Sequence, residues 1–288
     1  MIIVPAGMRY TWNVLAAAVC VLFLGMPFFA QVPSEAPLPD LASFWERVRG
    51  NLRGQYDVGE LLKGYTYRRS SVTEEFASDG SVRNRETREY DVYHSDAGRF
   101  QRLLSKNKIP LTARELKTED ERFRKFLARP PRKRPVRDEG EVFNDILNAF
   151  DFKILKREIR GGRPTLVITF KARKDPKLKS MIARRIFPRV EGTAWVDEED
   201  AQLASIDVYF TDDVKLGFGL LASIGKDTRM TREWRKHNNG IWVPSHNESR
   251  VKARVLLAKG YNRRRIDDYT DYKKFSVETT IRFTGVNP

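Results

Sequence analysis

Gly217-Phe218-Gly219-Leu220-Leu221-Ala222 spells G-x-G-x-x-A, the spacing with which a strand-to-helix turn cradles a dinucleotide pyrophosphate. Here the run alternates like a strand and sits among antiparallel strands. It offers no helix N-terminus for phosphates, so a dinucleotide role is excluded. Gly225-Lys226 is followed by Asp227, which is not a phosphate loop. Ser223 has half the surroundings of a nucleophile elbow, Leu221 before it and Gly225 after it, without the strand-to-helix context or a nearby histidine partner. His94, His237 and His246 are scattered and read as polar loop or strand residues rather than catalytic bases. Acidic pairs stand at Glu74-Glu75, Glu198-Glu199-Asp200, Asp212-Asp213 and Asp267-Asp268. They read as turn and strand-end chemistry; a hydrolase would need two of them across one cleft. Three histidines and one cysteine exclude a Cys/His zinc cluster and a disulfide, and no cofactor is expected.

The basic residues say more. The chain has 53 Lys+Arg against 38 Asp+Glu in 288 residues, a net charge of +15. Arg129–Arg137 reads RPPRKRPVR, a Pro-broken loop, with further clusters at Arg263-Arg264-Arg265 and Arg184-Arg185. Arg132, Lys133, Arg134 and Arg264 are the expected contacts to anionic head groups, at roughly 1 kcal/mol per basic residue near a charged membrane. Nucleic acid would be the usual partner of such a chain in a cytosol. A leader at the N-terminus argues against it. From Val14 the chain runs VLAAAVCVLFLGMPFFA without a charge, preceded by Arg9, the pattern of a secretory signal. The expectation is an exported, periplasmic protein with residues 1–30 as leader. An uncleaved N-terminal anchor is the rival reading, since the run is near the lower limit for spanning. Cys20 lies inside the apolar run and does not suit lipid attachment.

The rest of the chain must position these groups. Residues 31–39 are a Pro-rich tether, and 40–288 read as one domain with a basic helical insertion at about 106–150. Asp40 opens a helix through Arg53, with Leu41, Phe44, Trp45, Val48 and Leu52 at helical spacing. Leu111–Leu127 (Leu116, Phe123, Phe126 and Leu127 on one side), Val142–Phe150 and Asp175–Phe187 are further helices. Strands are expected at 64–75, 82–93, 100–105, 152–159, 165–172, 192–196, 203–210, 215–223, 229–235, 241–255 and 268–283, most joined by tight turns such as Asn239-Gly240. This is the α+β class: an antiparallel sheet of about ten to eleven strands with helices on one face. Alternation places Ile206, Val208, Phe210, Leu216, Phe218, Leu220 and Phe275 on its apolar side.

Gly192–Phe210 (GTAWVDEEDAQLASIDVYF), with Asn239–Pro244 and Tyr269–Phe275, resembles the LolA/LolB/RseB-type lipoprotein-carrier superfamily, and more narrowly the exported outer-membrane lipoprotein-sorting proteins. The resemblance covers residues 153–283 best. It implies an unclosed β-barrel, a curved antiparallel sheet whose concave face is closed by helices over an apolar cavity for acyl chains. The basic insertion is longer than a minimal carrier needs, and the carrier's lid-controlling arginine has no clear counterpart. The expected function is therefore a non-enzymatic envelope carrier. Its partners would be lipid or lipoprotein acyl chains, an anionic membrane surface and inner- or outer-membrane proteins. The apolar residues named above would line the cavity. The rivals are a periplasmic interaction or stress-sensing module with a filled core, and an envelope hydrolase using paired carboxylates.

Overall fold

Alternating apolar and polar residues write most of this chain as strand. In a computed structural model, which describes residues 36–51, 61–131, 139–174, 176, 178, 181–216, 222–238, 240–255 and 260–274, thirteen strands pair antiparallel. They are β1 (Tyr65–Phe76), β2 (Val82–Ser95), β3 (Gly98–Lys106), β4 (Ile109–Pro110), β5 (Phe150–Arg160), β6 (Arg163–Ala172), β7 (Val190–Asp197), β8 (Gln202–Phe210), β9 (Val214–Leu216), β10 (Ala222–Ile224), β11 (Arg229–Lys236), β12 (Trp242–Val255) and β13 (Tyr261–Lys274). They form one sheet in the order β4-β3-β2-β1-β13-β12-β11-β8-β7-β6-β5, with β10 added to β12 and β9 to β10. β4 and β5 are its unpaired ends, so the sheet stays open. The helices are α1 (Leu41–Asn51), α2 (Ala113–Leu127), α3 (Glu139–Ala149) and α4 (Met181–Ile186), the last continued by a 3₁₀ turn at Phe187–Arg189. The chain is thus α+β on a large open antiparallel sheet. The leader with Cys20, the tether up to Glu35, Arg132, Lys133, Arg134, Phe218, Leu220 and Phe275 lie outside the described residues.

Two caps fix the helix starts. The Asp40 carboxylate accepts the Ser43 N–H at 2.9 Å and opens α1. Thr112 and Glu115 form a capping box on α2, the Glu115 carboxylate accepting the Thr112 N–H at 2.9 Å.

Directly opposed residues in antiparallel strands share a sheet face. One such row crosses eight strands: Ile168, Ala194, Ile206, Arg232, Asn247, Asp267, Ser71 and Arg88. Helices α1, α3 and α4 pack on this face over β5–β8. Phe44 and Val48 of α1, Ala149 of α3, and Leu166, Ile168, Phe170, Val190, Ala194 and Val196 of the strands form the main core. Phe44 is only 1 % exposed. Gly192 lies in that core because nothing larger fits. A Cβ there would stand 2.2 Å from the Asp207 carbonyl oxygen and 2.5 Å from the Phe170 ring.

Helix α2 lies on the other face. Its Phe123 and Phe126 pack on Phe100 and Tyr93. Tyr93 neighbours Val92, which shares the face of Tyr67 and Arg69 and so points the opposite way. The expectation of helices on one face thus holds for three of the four described. The apolar side of α2 is also narrower than expected. Phe123 and Phe126 are buried while Leu116 and Leu127 stay exposed. The stripe runs Glu119, Phe123, Phe126, at spacings of four and three, and Leu127 is a further ~100° around the helix.

Three strand expectations are corrected. The single strand at 215–223 is two short ones, β9 and β10, paired with each other. Leu216 and Ala222 are antiparallel partners, so they cannot belong to one strand. The last strand starts at Tyr261, not Asp268. Its arginines find carboxylates on neighbouring strands, Arg263 on Glu75 and Arg264 on Glu248 and Glu74. Asp267-Asp268 therefore falls mid-strand, not at a strand end. Of the expected 175–187 helix, the described helical part is Met181–Ile186. Phe150 opens β5 instead of closing α3.

Candidate functional site

Along the row that crosses the sheet, apolar character stops between β8 and β11. On β8, Ile206, Val208 and Phe210 pack against the main core but are only half-buried. Register continues their face to Met230 on β11, opposite Val208. The alternate residues of β12, Val251 and Ala253, share this face, and Ala253 faces Ile224 of β10. All are half-buried. A strip of apolar side chains therefore runs out from under the helices along β8, β11, β12 and β10. Of the residues expected to line a cavity, Ile206, Val208 and Phe210 are here. Leu216 ends β9 opposite Ala222.

The next residues on the same face are charged. Arg232 sits opposite Ile206 on one side and Asn247 on the other, donating from Nε to Asn247 Oδ1 at 3.2 Å. A cavity of about 470 Å³ opens here, lined by Arg69, Arg99, Arg232, Arg265, Asp267 and Tyr269 among others. Asp267 is its buried centre. Its Oδ1 accepts from Arg69 Nε at 3.1 Å, and its carboxylate also accepts from Arg265 Nε at 3.0 Å. Arg69 is itself buried, its guanidinium 4.8 Å from the centre of the Tyr90 ring and bonded to Gln101. Behind it, Tyr67 and Tyr272 stack at 4.8 Å within a cluster that includes Leu62, Val92 and Val243. Burial pushes the Tyr67 hydroxyl up to about 12, against the pull of Arg99. Burial also raises Tyr269, with the nearby Asp267 charge adding to it. These phenols stay protonated at neutral pH and can act as donors.

Arg264, expected to meet head groups, is on the opposite face. Its Nε lies 2.7 Å from Glu248 Oε1 and its Nη1 3.5 Å from Glu74 Oε2. Sequence reasoning missed Arg69, Arg99 and Arg232; it named Arg265 within the 263–265 basic cluster and Asp267 within an acidic pair, without joining them in one site. The available signal was the strand-period run Arg265-x-Asp267-x-Tyr269, which places two charges and a phenol on one face. Only the pairing to β1 and β12 shows which face that is.

The acidic runs are tied down. Asp197 is fully buried and accepts from Arg163 Nε at 2.5 Å and Nη2 at 2.9 Å. Arg163 also reaches Glu199 at 2.9 Å and Asp200 at 3.2 Å. Burial alone would raise the Asp200 carboxyl, but Lys236 and the Trp242 indole N–H outweigh it and hold it below its usual value. A carboxylate held charged by cations is a poor proton donor. This cluster locks the β7–β8 turn, which Arg47 ties to α1 through the Glu198 and Glu199 carbonyls at 2.7 and 3.1 Å. His246 Nδ1 lies 2.7 Å from Asp268. Among the described residues no three His, Cys, Asp or Glu side chains are grouped to hold a metal. No helix among them is long and apolar enough to cross a membrane.

The fold and this divided face define a class: an α+β protein on an open antiparallel sheet, with one sheet face shared between apolar and cationic surface. No family model matches the chain, and no curated protein matches it. Among solved structures it is similar to a LolA superfamily protein from Nitrosomonas europaea, at 11% identity and a TM-score of 0.31 over 83% of this chain and 96% of that one. It is also similar to an outer membrane lipoprotein-sorting protein domain from Vibrio parahaemolyticus, at 10% identity and a TM-score of 0.33 over 85% and 93%. A third is the Pseudomonas aeruginosa MucA/MucB complex, at 9% identity and a TM-score of 0.23 over 82% and 99%. TM-scores this low carry no functional weight by themselves.

Proposed function

We propose that this chain is an exported, non-enzymatic envelope protein that binds the apolar part of a lipid or lipoprotein, without a covalent step. The single observation that supports it is the half-buried strip on β8, β11, β12 and β10. Ile206, Val208 and Phe210 join the core on one side and stay open on the other. Each methylene of an acyl chain buried there contributes about 0.8 kcal/mol, so one long chain suffices for useful affinity. The tail would lie beyond α1 rather than beneath it, because Phe44, Val48 and Leu178 occupy the space under the helices. The uncharged apolar run from Val14, preceded by Arg9, supports export, with residues 1–30 removed or kept as an anchor, 31–39 as tether and 40–288 as the binding domain. The carboxylates held in ion pairs support a binding role over catalysis.

A second reading follows from the packed core under α1: an envelope module that binds another protein. Native mass spectrometry of full chain extracted from membranes separates the two. The carrier reading expects a lipid-sized adduct that is lost on denaturation, and binding of a fluorescent fatty-acyl probe that Val208→Asp weakens. Protein that is always ligand-free and rejects the probe overturns it in favour of the module.

A further inference from the structure

We infer that the cavity between β1, β11 and β13 is a phosphate-binding pocket, which takes the anionic head group of the amphiphile whose tail lies on the neighbouring apolar strip. The inference rests on the carrier reading for the tail, but the pocket stands on its own geometry. Four arginines line it, Arg69, Arg99, Arg232 and Arg265, against two carboxylates, Asp267 and Glu233. That leaves a surplus of two positive charges. The true surplus is greater, because Glu233 is already paired with Arg160 at 3.0 Å. Within the pocket, Asp267 serves two guanidiniums, Arg69 and Arg265. Arg232 spends its Nε on the neutral Asn247, and Arg99 is exposed at the edge.

The parts are also graded in how firmly they are held. Arg69 is fixed by Asp267, Gln101 and the Tyr90 ring. Asp267 orients the Arg265 fork from the same side. Arg99, hydrogen-bonded to the Tyr67 hydroxyl, and Arg232, held through Nε by Asn247, are the exposed pair and would turn onto a ligand. Planar forks around a central cavity suit bidentate contacts to a tetrahedral oxyanion, which a lysine cluster would not fix in orientation. The protonated Tyr269 adds a neutral donor. The position of the pocket selects the source of the phosphate. Arg232 is the direct cross-strand partner of Ile206, and neighbouring strands lie about 4.8 Å apart. An anion held by Arg232 therefore has an acyl-binding side chain within one strand spacing. That adjacency is of no use to free phosphate and suits a molecule with a charged head and an apolar tail.

The test is calorimetric titration of the purified full chain with three probes: dodecyl phosphate, dodecyl maltoside and inorganic phosphate. Variants Arg232→Gln and Arg99→Gln are chosen because both side chains are exposed, and circular dichroism checks that each is folded. The expected result is dodecyl phosphate binding at least tenfold tighter than either other probe. Each variant should lower its affinity roughly tenfold, the scale of one charge-assisted hydrogen bond, and leave dodecyl maltoside unchanged. If both alkyl probes bind and the variants change neither, the head-group pocket is overturned while the carrier reading survives. If inorganic phosphate binds as tightly as dodecyl phosphate and maltoside does not bind, the pocket takes a free anion, and both the head-group assignment and the carrier reading fall.

Discussion

Over β5–β8 the sheet face is covered by three helices and packed with Phe, Leu, Ile and Val; over β13 and β1 the same face carries arginines and a buried aspartate around an open cavity. The two regions share pairing, alternation and direction. They differ in what their inward positions hold, and each is balanced on its other face. Behind the packed half, ion pairs cover the strands: Arg160 with Glu233, and Arg229 with Asp207. Behind the charged half, α2 supplies Phe123 and Phe126. None of the described helices α1–α4 packs on the charged half of this face, and apolar surface is still buried in both halves.

The comparison can be broken by substitutions that should be felt in one half only. Phe44→Ala removes a ring from the packed half and should cost about 3–5 kcal/mol in denaturant unfolding. Arg232→Gln in the charged half should stay within about 0.5 kcal/mol. A small loss for the first would mean that α1 is not held by core packing. Asp267→Ala leaves two guanidiniums facing each other, Arg69 among them buried, and should cost about 3 kcal/mol. Added phosphate should recover part of that loss by binding the exposed cations, and no recovery would argue against an anion site. Gly192→Ala should cost about 1–3 kcal/mol, since its new carbon meets the Asp207 carbonyl and the Phe170 ring. Ser249→Ala, on β12 in the open half, should be near neutral.

The smallest effect concerns pH. The Glu115 carboxyl is held down to about 2 by the Thr112 N–H, with Lys106 and the Thr112 hydroxyl adding to it. Its folded pKa lies below its unfolded one, so its support for α2 is complete above about 4.5 and is lost as pH falls toward 2. A carbon NMR titration of Glu115 should show its midpoint near 2. A midpoint at the ordinary glutamate value would remove the capping box.

Much of this arrangement was legible in the residues. The alternation of Ile206, Val208 and Phe210, the Asp40 cap and the hairpin turns are local signals, and local hydrogen bonds enforce them. The α+β class followed from their sum. What the residues concealed depends on partners far along the chain. Arg263–Arg265 read as a loose basic cluster because Glu74, Glu75 and Glu248, which turn it into strand, lie on other strands. The pairing of Val214–Leu216 with Ala222–Ile224 was hidden because alternation does not report which residues of one run pair with each other. The cationic pocket draws its arginines from four strands, and Arg69 and Asp267 meet only because β1 pairs with β13, 198 residues apart.

The central claim is that the tail of a bound amphiphile lies on the half-buried strip while its head reaches the arginines. A fatty acid carrying a terminal diazirine, photolysed on the full chain and mapped by peptide mass spectrometry, tests it directly. The label should fall within Gln202–Phe210 and Arg229–Lys236 and be displaced by unlabelled fatty acid. Label confined to α2 or to β2 and β3, or label that competitor does not displace, would contradict it.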